Sequence, residues 1–382
     1  MTRIEQIETF LVPPRWLFVR IETASGIVGW GEATCEGLSD VVRTAVAALC
    51  EHLIGRDARR ISDHWQVLTR GSFYRGGPVL ASAVAGIDQA LWDIAGKRLG
   101  VPVHELLGGP VRDRVRIYGW VGGDDPREVR DQIAERVQTG LTAVKLNASG
   151  RMRAHSPVAA IDAIVGRVAA ARDALGDERD VAVDFHGRLT TADARRVAPL
   201  LEPMRPLFIE EPVRPEHSHR IGEVVRATTT PIATGERLYR REEFLPVLQA
   251  GVAVLQPDLA HAGGITEVRQ IASLAEAYDA HLAPHCPLGP LALAASLQVA
   301  FATPNFLIQE QSIGIHYHDG VELLDYVLDA SPLAFVDGHI NRLTGPGLGL
   351  DIDEAAVRAA DGRGPLWRTP GWRHPDGSFA EW

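Results

Sequence analysis

Val181-Ala-Val-Asp184, Leu207-Phe-Ile-Glu210 and Ile232-Ala-Thr-Gly-Glu236 are three short apolar runs, each closed by an acidic residue. Asp184, Glu210 and Glu236 are spaced 26 positions apart in both steps. A buried parallel strand reads as a β-rich apolar run, and a crossover helix back to the next strand takes about this much chain. Three such strand ends would set three carboxylates side by side, where like charges repel unless something neutralises them. Hard oxygen donors with no cysteine among them suit Mg2+. The stretch therefore predicts a magnesium site at the carboxyl-terminal mouth of a parallel barrel, with surface salt bridges as the bland alternative.

The same grammar continues on both sides. Strand-like runs cover Val115–Trp120, Thr142–Asn147, Val181–His186, Pro206–Glu211, Pro231–Glu236, Val252–Asp258, Ala280–His285 and Phe306–Gln311. Helical patterns such as Pro126–Thr139, Ala159–Leu175 and Ile265–Tyr278 separate them. Eight parallel strands in about 200 residues fit a (β/α)-barrel better than an open doubly wound sheet. Before the barrel, Ile4–Phe10, Leu17–Thr23 and Ile27–Ala33 read as antiparallel strands. Val41–His52, Ile61–Thr69 and the almost wholly apolar Pro78–Leu99 read as helices. Beyond residue 318 periodicity fades into loops, and Gly345-Pro-Gly-Leu-Gly349 reads as turn geometry, because no βαβ unit surrounds it. The expected domains are an α+β cap at 1–112, the barrel at 113–317, and a segment at 318–382 that packs back on the cap.

Composition excludes several classes. Hydrophobic and charged fractions of 46% and 23% are those of a globular chain able to bury large cores. Cys35, Cys50 and Cys286 are scattered without metal-finger spacing, which suits a reducing compartment. The N-terminus has no apolar h-region and no run approaches membrane-span length, so a cytoplasmic protein is expected. A net charge of −10 argues against nucleic-acid or anionic-membrane partners. It leaves room for a small anionic substrate, since a bound divalent ion reverses the local sign.

Every strand's carboxyl end meets in one mouth of a barrel, so polar residues there are the chemistry candidates. They are Lys145, Asn147, Asp184, His186, Glu210, Glu236, Asp258, His285 and Glu310. Asp258 and His285 end neighbouring strands, and an aspartate on one imidazole nitrogen makes the other a competent base. Strand alternation points His186 to the same side as Asp184. Two imidazoles would then face a substrate from different sides, one removing a proton and the other protonating a leaving group. Glu310 either hydrogen-bonds a developing enolate or salt-bridges a basic neighbour. His261 and His281 read as packed residues. Two loop tips, Pro13-Pro-Arg15-Trp16 and Phe73-Tyr74-Arg75-Gly-Gly77, could cover the site. No Gly-x-Ser-x-Gly, His-Glu-x-x-His, Walker or Cys-x-x-Cys signature competes.

These residues resemble the mandelate racemase subgroup of the enolase superfamily. The stretches that carry the likeness include Gly29-Trp-Gly-Glu32, Phe73-Tyr-Arg-Gly-Gly-Pro78, Lys145-Leu-Asn147, Asp184-Phe-His-Gly-Arg188, Phe208-Ile-Glu-Glu-Pro212 and Gly235-Glu-Arg237. Gln256-Pro-Asp258, Pro284-His-Cys-Pro-Leu-Gly-Pro290 and the closing His374-Pro-Asp-Gly-Ser378 through Trp382 add to it. The resemblance implies a modified enolase-like barrel under a capping domain, with Asp184, Glu210 and Glu236 holding Mg2+. It implies that His285, paired with Asp258, takes the proton α to a sugar-acid carboxylate. Mg2+ and Glu310 would stabilise the enediolate, and His186 would protonate the departing 3-hydroxyl. Substrate contacts are expected from Arg15, Trp16, Tyr74, Arg75, Lys145, Asn147 and Arg237. The expected substrate is D-galactonate, with gluconate or a pentonate as alternatives, and the expected assembly is a homo-oligomer. Racemase-type members carry a second lysine where this chain has Asn147, which favours elimination over racemisation or epimerisation. A silent sugar-acid-binding paralogue would be expected to lack a ligand or the His-Asp pair, and none is missing.

Overall fold

The computed structural model describes residues 2–123, 125–153, 155–314, 322–363 and 367–381. The expected boundary at 317–318 and the terminal Trp382 lie outside these residues.

Three antiparallel strands, β1 (Ile4–Val12), β2 (Trp16–Thr23) and β3 (Val28–Glu32), form the N-terminal sheet. Helices α1 (Ser39–Cys50) and α3 (Pro78–Leu99) pack on it, and α2 (Ile61–Arg70) packs against α3. Pro78 starts α3 at a position where its missing N–H costs nothing, and Gly100 ends it with φ at 72°. The helix must lie almost against β3, and glycine makes this possible. A Cβ on Gly31 would sit 2.1 Å from the Gly86 carbonyl oxygen. The polar residues of this buried helix tie the N-terminal unit to the rest. Asp88 accepts from the Thr266 amide at 2.9 Å, and Gln89 donates to the Leu259 carbonyl at 2.8 Å. Burial pushes the Asp88 carboxyl up to about 7 against the pull of the Thr266 donors.

Eight parallel strands follow. They are β4 (Arg114–Val121), β5 (Ala143–Asn147), β6 (Asp180–Asp184), β7 (Ile209–Glu210), β8 (Ile232–Thr234), β9 (Val254–Leu255), β10 (His281–Leu282) and β11 (Gln309–Gln311). They pair in sequence order from β4 to β10, and β11 pairs back onto β4. Closure between β10 and β11 rests on the Leu282 backbone, which donates to Asn305 at 2.9 Å and accepts from Leu307 at 2.8 Å. A short antiparallel pair, β12 (Phe335–Val336) and β13 (His339–Asn341), extends the sheet beside the start of β4.

The barrel interior is filled by a layer with one residue from each strand or immediately beside it: Tyr118, Ala143, Ala182, Phe208, Ala233, Val254, Ala283 and Ile308. Side chains alternate along a strand, so the next inward residue stands two positions further on. For five of these strands that residue is Lys145, Asp184, Glu210, His285 or Glu310. The site is the second inward layer, floored by a packed apolar one.

The C-terminal segment does two things. Helix Glu354–Ala360 packs on β1, where Arg20 donates to Glu354 at 3.1 Å and Leu11 donates to Asp361 at 2.8 Å. The glycine-rich stretch is a turn, its Gly347 amide donating to the Val101 carbonyl at 3.0 Å. Further on, the chain leaves the N-terminal unit and crosses to the barrel insertions. Arg151 donates to the Arg373 carbonyl and Arg153 to Asp376, both at 3.0 Å.

Candidate active site

Asp184 and Glu210 are the last residues of β6 and β7, in register across the sheet and fully buried. Glu236 stands two residues past β8, behind Gly235 with φ at 147°. Lys145 points into the same layer, 2.8 Å from Glu210, 2.9 Å from Glu310 and 3.6 Å from Asp184. Burial disfavours its charge, but the surrounding carboxylates outweigh this and hold the ammonium well above its ordinary range. Burial and the Asp184 charge push Glu210 upward, while His186 and Lys145 hold Asp184 down against its own burial. The cluster carries more negative charge than Lys145 neutralises.

Asp184 Oδ2, Glu210 Oε2 and Glu236 Oε2 are buried without a hydrogen-bond partner in the protein. Three orphaned carboxylate oxygens on adjacent strands are a donor set that fits a hard divalent cation. Among the described residues no three acidic, histidine or cysteine side chains are drawn to the close spacing of a bound ion. Instead, cationic and imidazole groups stand against the carboxylates. His186 Nε2 is 2.9 Å from Asp184 Oδ2, and His285 Nε2 is 3.3 Å from Glu236 Oε2, neither aligned as a hydrogen bond.

The two imidazoles are held by opposite partners. His285 Nδ1 lies 2.8 Å from Asp258 Oδ2, an acceptor, so Nδ1 carries a proton and the neutral ring has its lone pair at Nε2. Burial lowers the ring's proton affinity, yet Glu236, Glu310 and Asp258 raise it to about 10, so the ring holds a second proton while these carboxylates are uncompensated and becomes a base once a bound cation offsets them. His186 Nδ1 lies 3.2 Å from an Arg188 guanidinium nitrogen and 3.4 Å from Asn147 Nδ2. The Asn147 amide is oriented by its oxygen, which accepts from Arg188 at 3.1 Å and from the Ser149 amide at 3.4 Å. Both neighbours of His186 Nδ1 therefore donate.

His186 lies beside Asp184 for a reason other than strand alternation. The strand ends at Asp184, and His186 takes φ of 49°, uncommon for a residue with a side chain. Its amide donates to Asp184 Oδ1 at 2.8 Å, closing a turn that folds the ring back over the carboxylate. Glu310 accepts at both oxygens, from Lys145 at 2.9 Å and from the Cys286 amide at 3.1 Å. That is the salt-bridged arrangement, and it leaves Lys145 as the proton-rich group of this corner.

A cavity of about 580 Å³ opens on this layer. Of the expected contacts, Arg15, Lys145 and Arg237 line it. Asn147 lines an adjoining cavity of about 530 Å³, which meets the first at His186 and Trp120. Trp16 does not reach either cavity. It opens β2 and is fully buried in the hydrophobic core, so only Arg15 of that loop faces the site. Tyr74 and Arg75 also stay outside, with Tyr74 81% exposed. Gly76 and Gly77, at φ of 84° and 82°, turn the chain so that Pro78 alone reaches the lining.

Several lining residues have no strand-end signal: Glu36, Tyr239, His261, Trp367 and Thr369. His261, expected to be a packed residue, is buried yet faces the cavity, 3.4 Å from Glu36 and 2.9 Å from the Ser82 hydroxyl. His281, expected to be packed, is exposed, while its neighbour Leu282 is buried in the core shared with the helices. Gln256, two residues past the packed Val254, is buried with neither amide atom partnered. The cysteines offer no nucleophile: burial pushes the Cys35 thiol up to about 12 and Cys286 well above its ordinary range.

Residues 11–108 match the mandelate racemase/muconate lactonizing enzyme N-terminal domain, and residues 128–356 match the enolase C-terminal domain-like family. Curated relatives named D-galactonate dehydratase, from Ralstonia nicotianae and Pectobacterium atrosepticum, are 53% and 51% identical, and each alignment covers all of both chains. An enolase from Agrobacterium radiobacter, solved with Na and L-malate bound, superposes with a TM-score of 0.91 at 33% identity, covering 99% of each chain. A mandelate racemase/muconate lactonizing enzyme from Jannaschia sp. superposes at 0.87 with 32% identity, covering 94% of this chain and 97% of its own.

Proposed function

The chain belongs to the mandelate racemase/muconate lactonizing enzyme family of the enolase superfamily, and on that premise we propose that it dehydrates D-galactonate to 2-dehydro-3-deoxy-D-galactonate. The observation that carries this reading is the pair of imidazoles with opposite Nδ1 partners, set on two sides of one carboxylate cluster. His285 is the base. Its Nε2 lone pair takes the C2 proton, and Asp258 balances the charge that the ring gains. The C2–H electron pair passes into an enediolate on the substrate carboxylate, beside the Lys145 ammonium. Collapse of the enediolate forms the C2–C3 double bond and breaks the C3–O bond, while His186 gives its Nε2 proton to the leaving oxygen and the Arg188 guanidinium at Nδ1 balances the negative charge left on the ring until the ring regains a proton. Water departs, and the enol becomes the 2-keto acid. Asp184, Glu210 and Glu236 would hold Mg2+, whose positive charge stabilises negative charge developing on the substrate carboxylate. Arg15 and Arg237 bind and orient the anionic sugar acid. Glu310, as an acceptor for Lys145, fixes that ammonium where the enediolate forms.

Full-length identity to enzymes of that name supports galactonate over gluconate or a pentonate. Asn147, two residues after Lys145, supports elimination over racemisation, because inversion at C2 requires a second base on the opposite face. The reading includes a cap at 1–112, closed by 318–382 over a catalytic barrel at 113–317, in a cytoplasmic homo-oligomer with no nucleic-acid or membrane partner. The net charge of −10 supports that partner assignment. Incubation with Mg2+ and a panel of aldonates, followed by a 2-keto-acid assay, tests it. Fastest turnover is expected on D-galactonate, and no turnover of any six-carbon aldonate would overturn the reading.

A further inference from the structure

The adjoining cavity lies behind His186, away from the carboxylate cluster, and contains none of the groups just assigned to bond-making except that ring. Its wall is made by two arginines and two indoles: Arg151, Arg188, Trp120 and Trp372. Arg188 is buried and threads between the end of β5 and His186. One guanidinium nitrogen donates to Asn147 Oδ1 and to the Ser149 carbonyl, and another faces His186 Nδ1 at 3.2 Å. A planar fork that satisfies two loops and a ring at once has one useful orientation.

Trp372 holds it there. The guanidinium carbon of Arg188 lies 4.8 Å from the Trp372 ring centre, and that of Arg151 lies 5.3 Å from it. Trp372 comes from the far end of the chain, on a small hairpin in which Arg373 bridges Phe379 and the Ala380 amide donates to the Trp372 carbonyl at 3.1 Å. Ion pairs Arg153–Asp376 at 3.0 Å and Arg214–Glu381 at 3.5 Å pin the hairpin to the barrel. Such stacking on a desolvated guanidinium contributes enough to bias its orientation.

We infer that the C-terminal hairpin positions the proton donor: Trp372 clamps Arg188, which with Asn147 fixes the tautomer and tilt of His186. Arg188 and Trp372 are positioning residues, since neither touches the catalytic cavity. Two donors at Nδ1 leave that nitrogen its lone pair and put the ring's N–H on Nε2, the nitrogen beside Asp184. Loosening the clamp lets the ring take the other tautomer or swing away. Proton abstraction by His285, on the other side of the cluster, is untouched. The inference rests on the proposed dehydration for the meaning of His186, and its structural half can be read without turnover.

The test uses full-length Trp372→Ala and Trp372→Phe, each checked against wild type for melting temperature. In wild type, 15N shifts of the His186 ring, assigned by loss of the signals in His186→Gln, should report the Nε2–H tautomer without substrate. Trp372→Ala should give mixed tautomers, and Trp372→Phe should restore one. With D-galactonate and Mg2+ in D2O, Trp372→Ala should lower kcat for dehydration roughly five- to tenfold. KM should stay within about twofold, and C2-proton exchange should rise relative to product formation. A purely structural role would lower exchange and elimination together. An unchanged tautomer, or an unchanged ratio of exchange to elimination in Trp372→Ala, overturns the inference. If Trp372→Ala melts early, Arg188→Lys supplies the same readouts, because it keeps the charge and loses the fork. Wild type inactive on every aldonate, with Trp372 still setting the tautomer, would instead sink the proposed reaction and leave the clamp standing.

Discussion

His285 and His186 occupy the same barrel mouth, and each brings Nε2 within 3.3 Å of a carboxylate of the cluster. What differs is the atom behind each ring. Behind His285 is Asp258, an acceptor from the neighbouring strand end. Behind His186 are Arg188 and Asn147, both donors. A ring backed by an acceptor turns a lone pair to the substrate, and one backed by donors turns a proton to it. The division between base and acid is thus written one layer away from the chemistry.

That contrast can be broken in graded steps. Removing Mg2+ with a chelator should abolish dehydration altogether and restore it on readdition, because both rings work against a cluster with uncompensated negative charge. Residual turnover after exhaustive chelation, measured as 2-keto acid, would mean the carboxylates do not need the ion. His285→Asn should cost on the order of 10⁴-fold in kcat and remove C2 exchange as well. Exchange that persists in this variant would locate the base elsewhere. Asp258→Asn keeps the ring but offers it a donor, making its surroundings resemble those of His186. A fall of roughly 10³-fold is expected in steady-state kinetics, with little change in KM. Asn147→Asp makes the opposite change, placing an acceptor beside His186. A loss of about tenfold in elimination with exchange preserved would sharpen the contrast, and unchanged kinetics would weaken it.

The two sides were not equally legible in the sequence. Lys145, Asp184, Glu210 and His285 could be read because one inward position per parallel strand repeats at crossover spacing, and Glu236 and Asp258 because they close the apolar runs of β8 and β9, although both stand in the loops just past them. That regularity comes from the barrel itself, and the packed layer from Tyr118 to Ile308 lies two residues below it. His186 was found by alternation, although a turn at φ 49° places it. The donor side stayed hidden because its parts are distant in sequence and share no period. Arg188 lies on a loop, Trp372 comes from the terminal hairpin, and Trp367 enters the catalytic cavity from the same segment. Trp16, Tyr74 and Arg75 failed as predicted contacts for a related reason: a motif marks a loop but does not tell which of its residues faces inward.

The most direct measurement follows D-galactonate by proton NMR in D2O with Mg2+ and the His186→Asn variant. Loss of the C2 proton signal without formation of the 2-keto-3-deoxy product is the predicted result, because His285 still abstracts the proton and nothing releases the hydroxyl. Product formation at the wild-type rate, or no exchange at all while His285 is intact, would contradict the division of labour between the two rings.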